Sequence, residues 1–259
     1  MAFTDASYGL FQGTLYAAPR LMNGPQTGGF LNLGDCDALE ITPTQKYEDI
    51  EESISGLGLS AAHIPTSTQL KVKMNLRYLS AKNWVTALWG SYGNTVTGAT
   101  VAAEPVNLYN GAMTPLANPG VSAVVVTKTA GSLVLVLGTD YTLDAVNGTI
   151  TVLPASALVA SATVATPCTV AYTFAAWTGR IDAFTTGQIV LKLRLNGINT
   201  ANSNQPTLVN IYQFVPDIAK SLKMIEKKSA SLELDGMLLQ DTTIASAVGV
   251  SQFFQILKA

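Results

Sequence analysis

The sequence predicts a mainly β fold with one short α-helix and an inserted block of short strands. Three observations carry this reading. Leu70–Leu76 sets Leu70, Val72, Met74 and Leu76 against Lys71, Lys73 and Asn75, the period-2 alternation of a half-buried strand. Ser80–Trp89 is the best stretch with helical spacing and end signals. Composition then shifts to a Gly/Pro/Asn-rich segment at 94–120, followed by short strand-like runs over 121–175.

Residues 1–35 are rich in Gly, Asn, Pro and Thr, with scattered aromatics (Phe3, Tyr8, Phe11, Tyr16), and read as an N-terminal arm. A short strand is expected at Ala38–Ile41. Thr42–Thr66 reads as a long connection holding an acidic knot, Tyr47-Glu48-Asp49-Ile50-Glu51-Glu52, and the stretch Gly56-Leu57-Gly58. Loops of this length inside compact domains are uncommon and tend to be functional.

In the helix, Ser80 is placed to cap the N-terminus and Gly90 to follow the C-terminus. Trp84, Val85 and Leu88 share one stripe, which is expected to pack on a sheet because so short a helix is marginal alone. The block that follows, residues 94–180, reads as an insertion of its own, with turns at Asn118-Pro119-Gly120 and Thr178-Gly179. Within it, Thr139–Val152 places Asn147-Gly148 between strand-like runs, a strong hairpin signal.

Beyond the insertion, Gln188–Leu195 alternates Leu191, Leu193 and Leu195 against Lys192 and Arg194. Asn196–Pro206 reads as a turn or loop tip, Thr207–Phe214 as a strand, and Asp217–Ile225 as a short helix behind Pro216. Ser229–Leu234 is the last expected strand. The β core is thus split into 36–93 and 181–259, the second part ending in a C-terminal tail.

Of 259 residues, 48% are hydrophobic and 12% charged, half the ~25% of an average domain. Such a chain has enough apolar residues to fold. A net charge of −2 argues against a protein that wraps nucleic-acid phosphates. Low charge on a surface that stays in solution points to coverage by an assembly. The start lacks the basic and apolar regions of a signal peptide, and the apolar runs fall short of a membrane span. Cys36 and Cys168 lie far apart without a CxxC spacing, and are expected as small buried side chains in a reducing compartment.

Residues that would carry chemistry are sparse. His63 is the one histidine, and no HxxxH, HExxH, GxSxG, P-loop or GxGxxG pattern occurs. Gly24–Gly29 follows no strand and lacks the lysine of a phosphate loop. Glu48, Asp49, Glu51 and Glu52 are adjacent and solvated, whereas a general acid needs burial to raise its pKa. Asn147-Gly148-Thr149 fits a glycosylation sequon, but the turn explains both residues. Lys220, Lys223, Lys227 and Lys228 are interspersed with Asp217 and Glu226 as an ordinary polar face, and Trp84, Trp89, Tyr92 and Trp177 read as core or interface anchors. No catalytic, cofactor-binding or metal residue is expected, no cofactor, and no enzyme activity.

The order of elements is more informative. Strand Leu70–Leu76 leading into Ser80-Ala-Lys-Asn-Trp-Val-Thr-Ala-Leu-Trp-Gly90 resembles a pattern in the tail tube proteins of long-tailed bacteriophages. The block with Gly138-Thr-Asp-Tyr141, Asn147-Gly148 and Val170-Ala-Tyr172-Thr-Phe174 is similar to one common in such proteins. So is the close, Asn210-Ile-Tyr-Gln-Phe214 followed by Ala230-Ser-Leu-Glu-Leu-Asp-Gly236-Met-Leu-Leu-Gln-Asp241. The likeness spans about residues 36–245, and the large 94–180 insertion departs from the shorter members.

The resemblance implies a two-sheet β-sandwich or barrel flanked by one short α-helix, with an inserted small β domain that would face outward because a narrow lumen cannot hold it. It also implies a structural virion protein, assembled in the host cytoplasm into hexameric rings that stack as a tail tube. Its partners would be further copies of itself, other tail proteins, and genomic DNA passing through the lumen without sequence-specific contacts. The long segment carrying Tyr47, Glu48, Asp49, Glu51 and Glu52, with the N-terminal segment, would bridge subunits or rings. Six copies would carry a net charge of −12 per ring, so the wall would not grip phosphate. The alternative is a phage or cell-surface β-rich binding module, acting through the insertion.

Overall fold

The computed structural model describes residues 9–54, 59–93, 95–222, 224–225 and 229–258, and the chain divides into two units. One comprises the chain up to Tyr92 together with Ile181 onward; the other is Gly93–Arg180. In chain order the first unit holds β1 (Phe11–Arg20), β2 (Leu31–Asn32), β3 (Cys36–Glu51), β4 (Ser60–Leu76), α1 (Ala81–Leu88) and β5 (Ser91–Tyr92). The second holds β6 (Ala99–Leu108), β7 (Met113–Pro115), β8 (Val121–Lys128), β9 (Leu133–Val134), β10 (Tyr141–Asp144), β11 (Thr149–Val152) and β12 (Thr166–Phe174). The first unit resumes with β13 (Ile181–Asp182), β14 (Val190–Asn199), β15 (Gln205–Pro216), β16 (Leu232–Leu238) and β17 (Phe254–Lys258). Strands hold 53% of residues and helical turns 5%, so the fold is mainly β with several antiparallel sheets and one short helix.

The first unit is organised by one eight-stranded antiparallel sheet in the order β2-β1-β14-β15-β16-β4-β3, with β17 also paired to β15. Residues 11–20, expected within an N-terminal arm, are instead strand β1, paired to β14 over its whole length. Its small residues hid it: Leu15, Ala17 and Ala18 are buried, and two of the three are alanines of modest strand propensity. The core collects Leu15 of β1, Val72 and Met74 of β4, Leu193 of β14, Phe214 of β15, and Leu232 and Leu234 of β16. Alternation in β4 and β14 falls as the sequence predicts, with Lys73 and Arg194 on the other face from Met74 and Leu193.

Three further expectations give way. Thr42–Thr66 is not a loop: β3 and β4 continue through it as a paired ribbon, from Thr42 opposite Lys71 to Glu51 opposite Ser60. Asp217–Ile225 forms no helix in its described residues. Pro216 is instead the last residue of β15, and the Asp217 N–H donates to the Asp235 carbonyl at 2.8 Å, keeping the chain beside β16. β16 runs on to Leu238, past the expected end at Leu234, and β17 follows as an additional strand. Phe3, Tyr8, Gly56-Leu57-Gly58, Lys223 and 226–228 lie outside the described residues.

Helix α1 starts as its cap predicts, with the Ser80 Oγ accepting from the Asn83 N–H at 3.2 Å. At its end, Trp89 rather than Gly90 takes the left-handed conformation (φ 45°), and the Gly90 N–H closes on the Val85 carbonyl at 2.9 Å. The Trp89 indole N–H donates to the Pro216 carbonyl at 3.3 Å, which secures the strained residue.

The second unit has two sheets, β6-β12-β8-β9 and β10-β11-β7. Leu108, Val126, Ile150, Val170 and Tyr172 are buried between their strands. The Asn147-Gly148 hairpin is present, with β10 and β11 paired from Tyr141 opposite Val152 to Asp144 opposite Thr149. Gly148 has φ +64°, and a Cβ there would lie 2.3 Å from the Asn118 carbonyl, so the turn admits no larger residue. The Asp144 carboxylate accepts from the Asn147 side chain at 2.7 Å and from the Val146 and Asn147 N–H groups. Those bonds, the Asn147 side chain foremost, hold its pKa below the usual carboxylate value.

Candidate assembly surfaces

Tyr47, Glu48, Asp49, Glu51 and Glu52 all lie on or just after the distal half of β3, and none is buried. Only the base of the ribbon joins the sheet, because β16 pairs with β4 from Leu70 to Leu76 and no further. The ribbon beyond it is therefore two strands with no third partner among the described residues. An isolated two-stranded ribbon is marginal in water. What steadies this one is local: Asp49 pairs with His63 across the strands, and Tyr47 stacks on the imidazole with centroids 3.9 Å apart. The Tyr47 hydroxyl donates to Gln45 Oε1 at 2.7 Å.

His63 falls within the expected Thr42–Thr66 connection but sits on β4, because the ribbon extends that far. Strand alternation places Asp49 and His63 on one face, and Ile50, Ala62 and Ile64 on the other. Ile50 and Ile64 are each 46% exposed, with Ile54 at 94% nearby. The arm thus presents uncovered aliphatic side chains beside carboxylates. Sequence reasoning found the acidic knot but missed the apolar partner face, because Ile64 opposes Glu48 only once the register is known.

The helix stripe differs from its expected form. Asn83 and Ala87 are the buried positions of α1, whereas Trp84, Val85 and Leu88 are half-buried. Asn83 reaches the interior because its amide donates to the carbonyls of Leu33 at 2.8 Å and Tyr78 at 2.6 Å. Ala87 is fully buried, and its carbonyl accepts from the Ala219 N–H at 2.8 Å. Val85 faces an apolar cleft of 740 Å³, lined also by Ala17, Leu31, Leu33, Tyr78 and Leu191.

Both ends of the sheet are open. Among the described residues, β2 covers β1 only at Tyr16 and Ala17, and β3 has no strand on its outer side. Such edges carry backbone N–H and C=O groups that invite a further strand. Some charges elsewhere are paired within the chain. Lys220 donates to Asp235 at 2.6 Å, which pushes its pKa up, and Arg77 pairs with Asp37 at 2.8 Å. Cys36 is half-buried and Cys168 buried, both thiols free and pushed up by burial. Among the described residues, no group of three or more His, Cys, Asp or Glu is placed to hold a metal ion. None of the described helices is long and apolar enough to cross a membrane.

The family profile described as "Protein of unknown function UCP028589" matches residues 8–257, nearly the whole length. No curated protein matches the chain.

Proposed function

The chain belongs to the UCP028589 family, and we propose that it is a structural subunit that self-assembles into rings stacked as a phage tail tube. The observation that carries this reading is the open sheet of the first unit: among the described residues, the sixteen of β3 have no strand on their outer side, and β1 is covered at two positions. Copies joined edge to edge would continue the sheet around a ring, removing every open edge by closure. The protruding ribbon supplies a second contact, since one of its faces sets Ile50 and Ile64 beside Glu48, open to solvent. Charge is low enough for large buried interfaces, which in obligate assemblies are predominantly apolar.

In this reading the partners are further copies, other tail proteins, and DNA passing along the lumen without sequence readout. A net charge of −2 per chain keeps an assembly mildly acidic overall, which disfavours a tight hold on phosphates. The test is negative-stain electron microscopy of the concentrated full chain. Rings with a central hole, or tubes of constant diameter, are expected. A chain that stays monomeric at high concentration would overturn the reading.

A further inference from the structure

The cleft beside α1 and the distal half of the ribbon are opposite in charge and alike in being apolar. The cleft, 740 Å³, is lined by Leu31, Leu33, Val85 and Leu191 among others, and has room for several aliphatic side chains. A single charged residue lines it, Lys82, which is exposed and has no ion pair among the described residues. Helix α1 adds to that sign. Its first turn, which lines the cleft, holds no acidic residue, and the N–H groups at a helix start carry partial positive charge.

The distal ribbon supplies what the cleft lacks. One face sets Ile50, Ala62 and Ile64 beside Glu48, and Glu51 ends β3 just beyond them. Ile54 and Leu59, also exposed, follow where the paired strands stop. From Tyr47 to Glu52 the chain carries four carboxylates and no cation. Asp49 is tied to His63 on the other face, whereas Glu48 and Glu51 pair with no cation among the described residues. Aliphatic surface in water on both sides, with opposite charge beside it, is the complementarity that fixes a specific contact.

One chain cannot bring its own two surfaces together. Leu33 lies three residues before β3 and Tyr78 two residues after β4, so the cleft sits at the foot of both strands. Ile50 is fourteen positions beyond Cys36, and Ile64 twelve positions before Leu76. At about 3.3 Å per residue, the aliphatic face stands roughly 40 Å from that foot. The two strands are paired from Cys36 to Glu51, so the ribbon does not fold back. A second copy has no such constraint.

We infer that the cleft beside α1 receives the distal ribbon of a second copy, with Ile50 and Ile64 entering the apolar lining and Glu48 and Glu51 facing Lys82. The contact joins unlike surfaces and is therefore heterologous: each copy gives a ribbon to one neighbour and takes one from another. Donor and acceptor lie at opposite ends of the same two strands, so copies add head to tail along the ribbon. The inference rests on the self-assembly proposed above, and names the surface that receives the ribbon.

The experiment uses the full chain with Cys36→Ser, Cys168 being buried, and a short bis-maleimide cross-linker. A chain with Ala62→Cys on the ribbon is mixed with a longer, tagged chain carrying Thr86→Cys in the cleft. Cross-links between the two should exceed those formed by either chain alone at least ten-fold, because the surfaces are unlike. Lys82→Glu on the Thr86→Cys chain should cut the yield ten-fold while circular dichroism and melting stay unchanged. Glu48→Lys with Glu51→Lys on the Ala62→Cys chain should then restore it. Equal cross-linking within one chain type, insensitivity to Lys82→Glu, or no rescue by the paired reversal would overturn the inference. So would laurate binding that Lys82→Glu abolishes in a chain that gives no cross-link, since the cleft would then serve an apolar anion. Rings seen by microscopy without the cross-link would sink this inference alone; the cross-link in chains that form no rings would sink only the tube.

Discussion

Arg20 and Asp241, 221 positions apart, form an ion pair with 2.6 Å between Nη1 and Oδ2 and side chains only 5% and 4% exposed. The same guanidinium donates to the carbonyls of Tyr212 at 2.6 Å and Gly24 at 2.8 Å. The pair therefore ties β1 to β15 and to the segment after β16 at one buried point. Removing one member leaves the other charged and buried. Asp241→Ala should cost about 3–5 kcal/mol in urea unfolding, and Arg20→Met, Asp241→Leu together should cost less than either change alone. A double variant as damaged as the sum of the singles would refute a buried, compensated pair.

The same carboxyl makes a pH prediction. Burial pushes the Asp241 pKa up, but the Arg20 guanidinium, with the Thr243 hydroxyl and N–H, outweighs it and holds the value below the ordinary one. A depressed folded pKa contributes stability above the unfolded value, about 3.9, and loses it as pH falls through the folded value. The wild type should thus lose stability below about pH 4 more steeply than Asp241→Asn. Equal slopes in acid melting curves would count against it.

Helix α1 gives a ranking. Ala87 is fully buried and Leu88 half-buried, so Ala87→Asp should destabilise by several kcal/mol through an unpaired buried charge, and Leu88→Arg by clearly less. The reverse order of melting temperatures would show that the helix is rotated from its present face.

Gly236 lies in β16 opposite Pro216 and Val72. A Cβ there would sit 2.3 Å from the Val215 carbonyl and 2.5 Å from the Phe214 ring. Gly236→Ala should therefore cost about 1–3 kcal/mol by overpacking, measured by denaturant titration.

On the ribbon, stability and assembly should separate. Ile50→Asp with Ile64→Asp removes the exposed aliphatic face without touching the core, so unfolding should shift by less than about 1 kcal/mol. Assembly by sedimentation or microscopy should be lost. Reversal of Glu51 and Glu52 should likewise leave folding intact and hinder stacking or joining of subunits; normal polymers would show that the acidic knot is only solvated.

Local signals were legible where one residue or one period decides the structure. The Leu70–Leu76 alternation, the Ser80 cap and the Asn147-Gly148 turn each specify their element through short-range sterics and hydrogen bonds. Composition alone placed a change of character near residue 94, and charge poverty is a property of the sequence itself. The acidic knot was visible as a candidate surface for the same reason.

What only the tertiary structure decided depends on partners distant in sequence. β1 is a core strand because β14, some 180 residues on, covers it, and no local pattern in Phe11–Arg20 announces that. The ribbon is a pair of strands because β3 and β4 satisfy each other's backbone groups, while neither buries a face that would print an alternation. Asn83 and Ala87 are buried in place of Trp84, Val85 and Leu88 where the Asn83 amide donates to the carbonyls of Leu33 and Tyr78 and the Ala87 carbonyl accepts from the Ala219 N–H. Pairing across long separations is fixed by which edges remain unsatisfied after local structure forms, and that is a property of the whole fold.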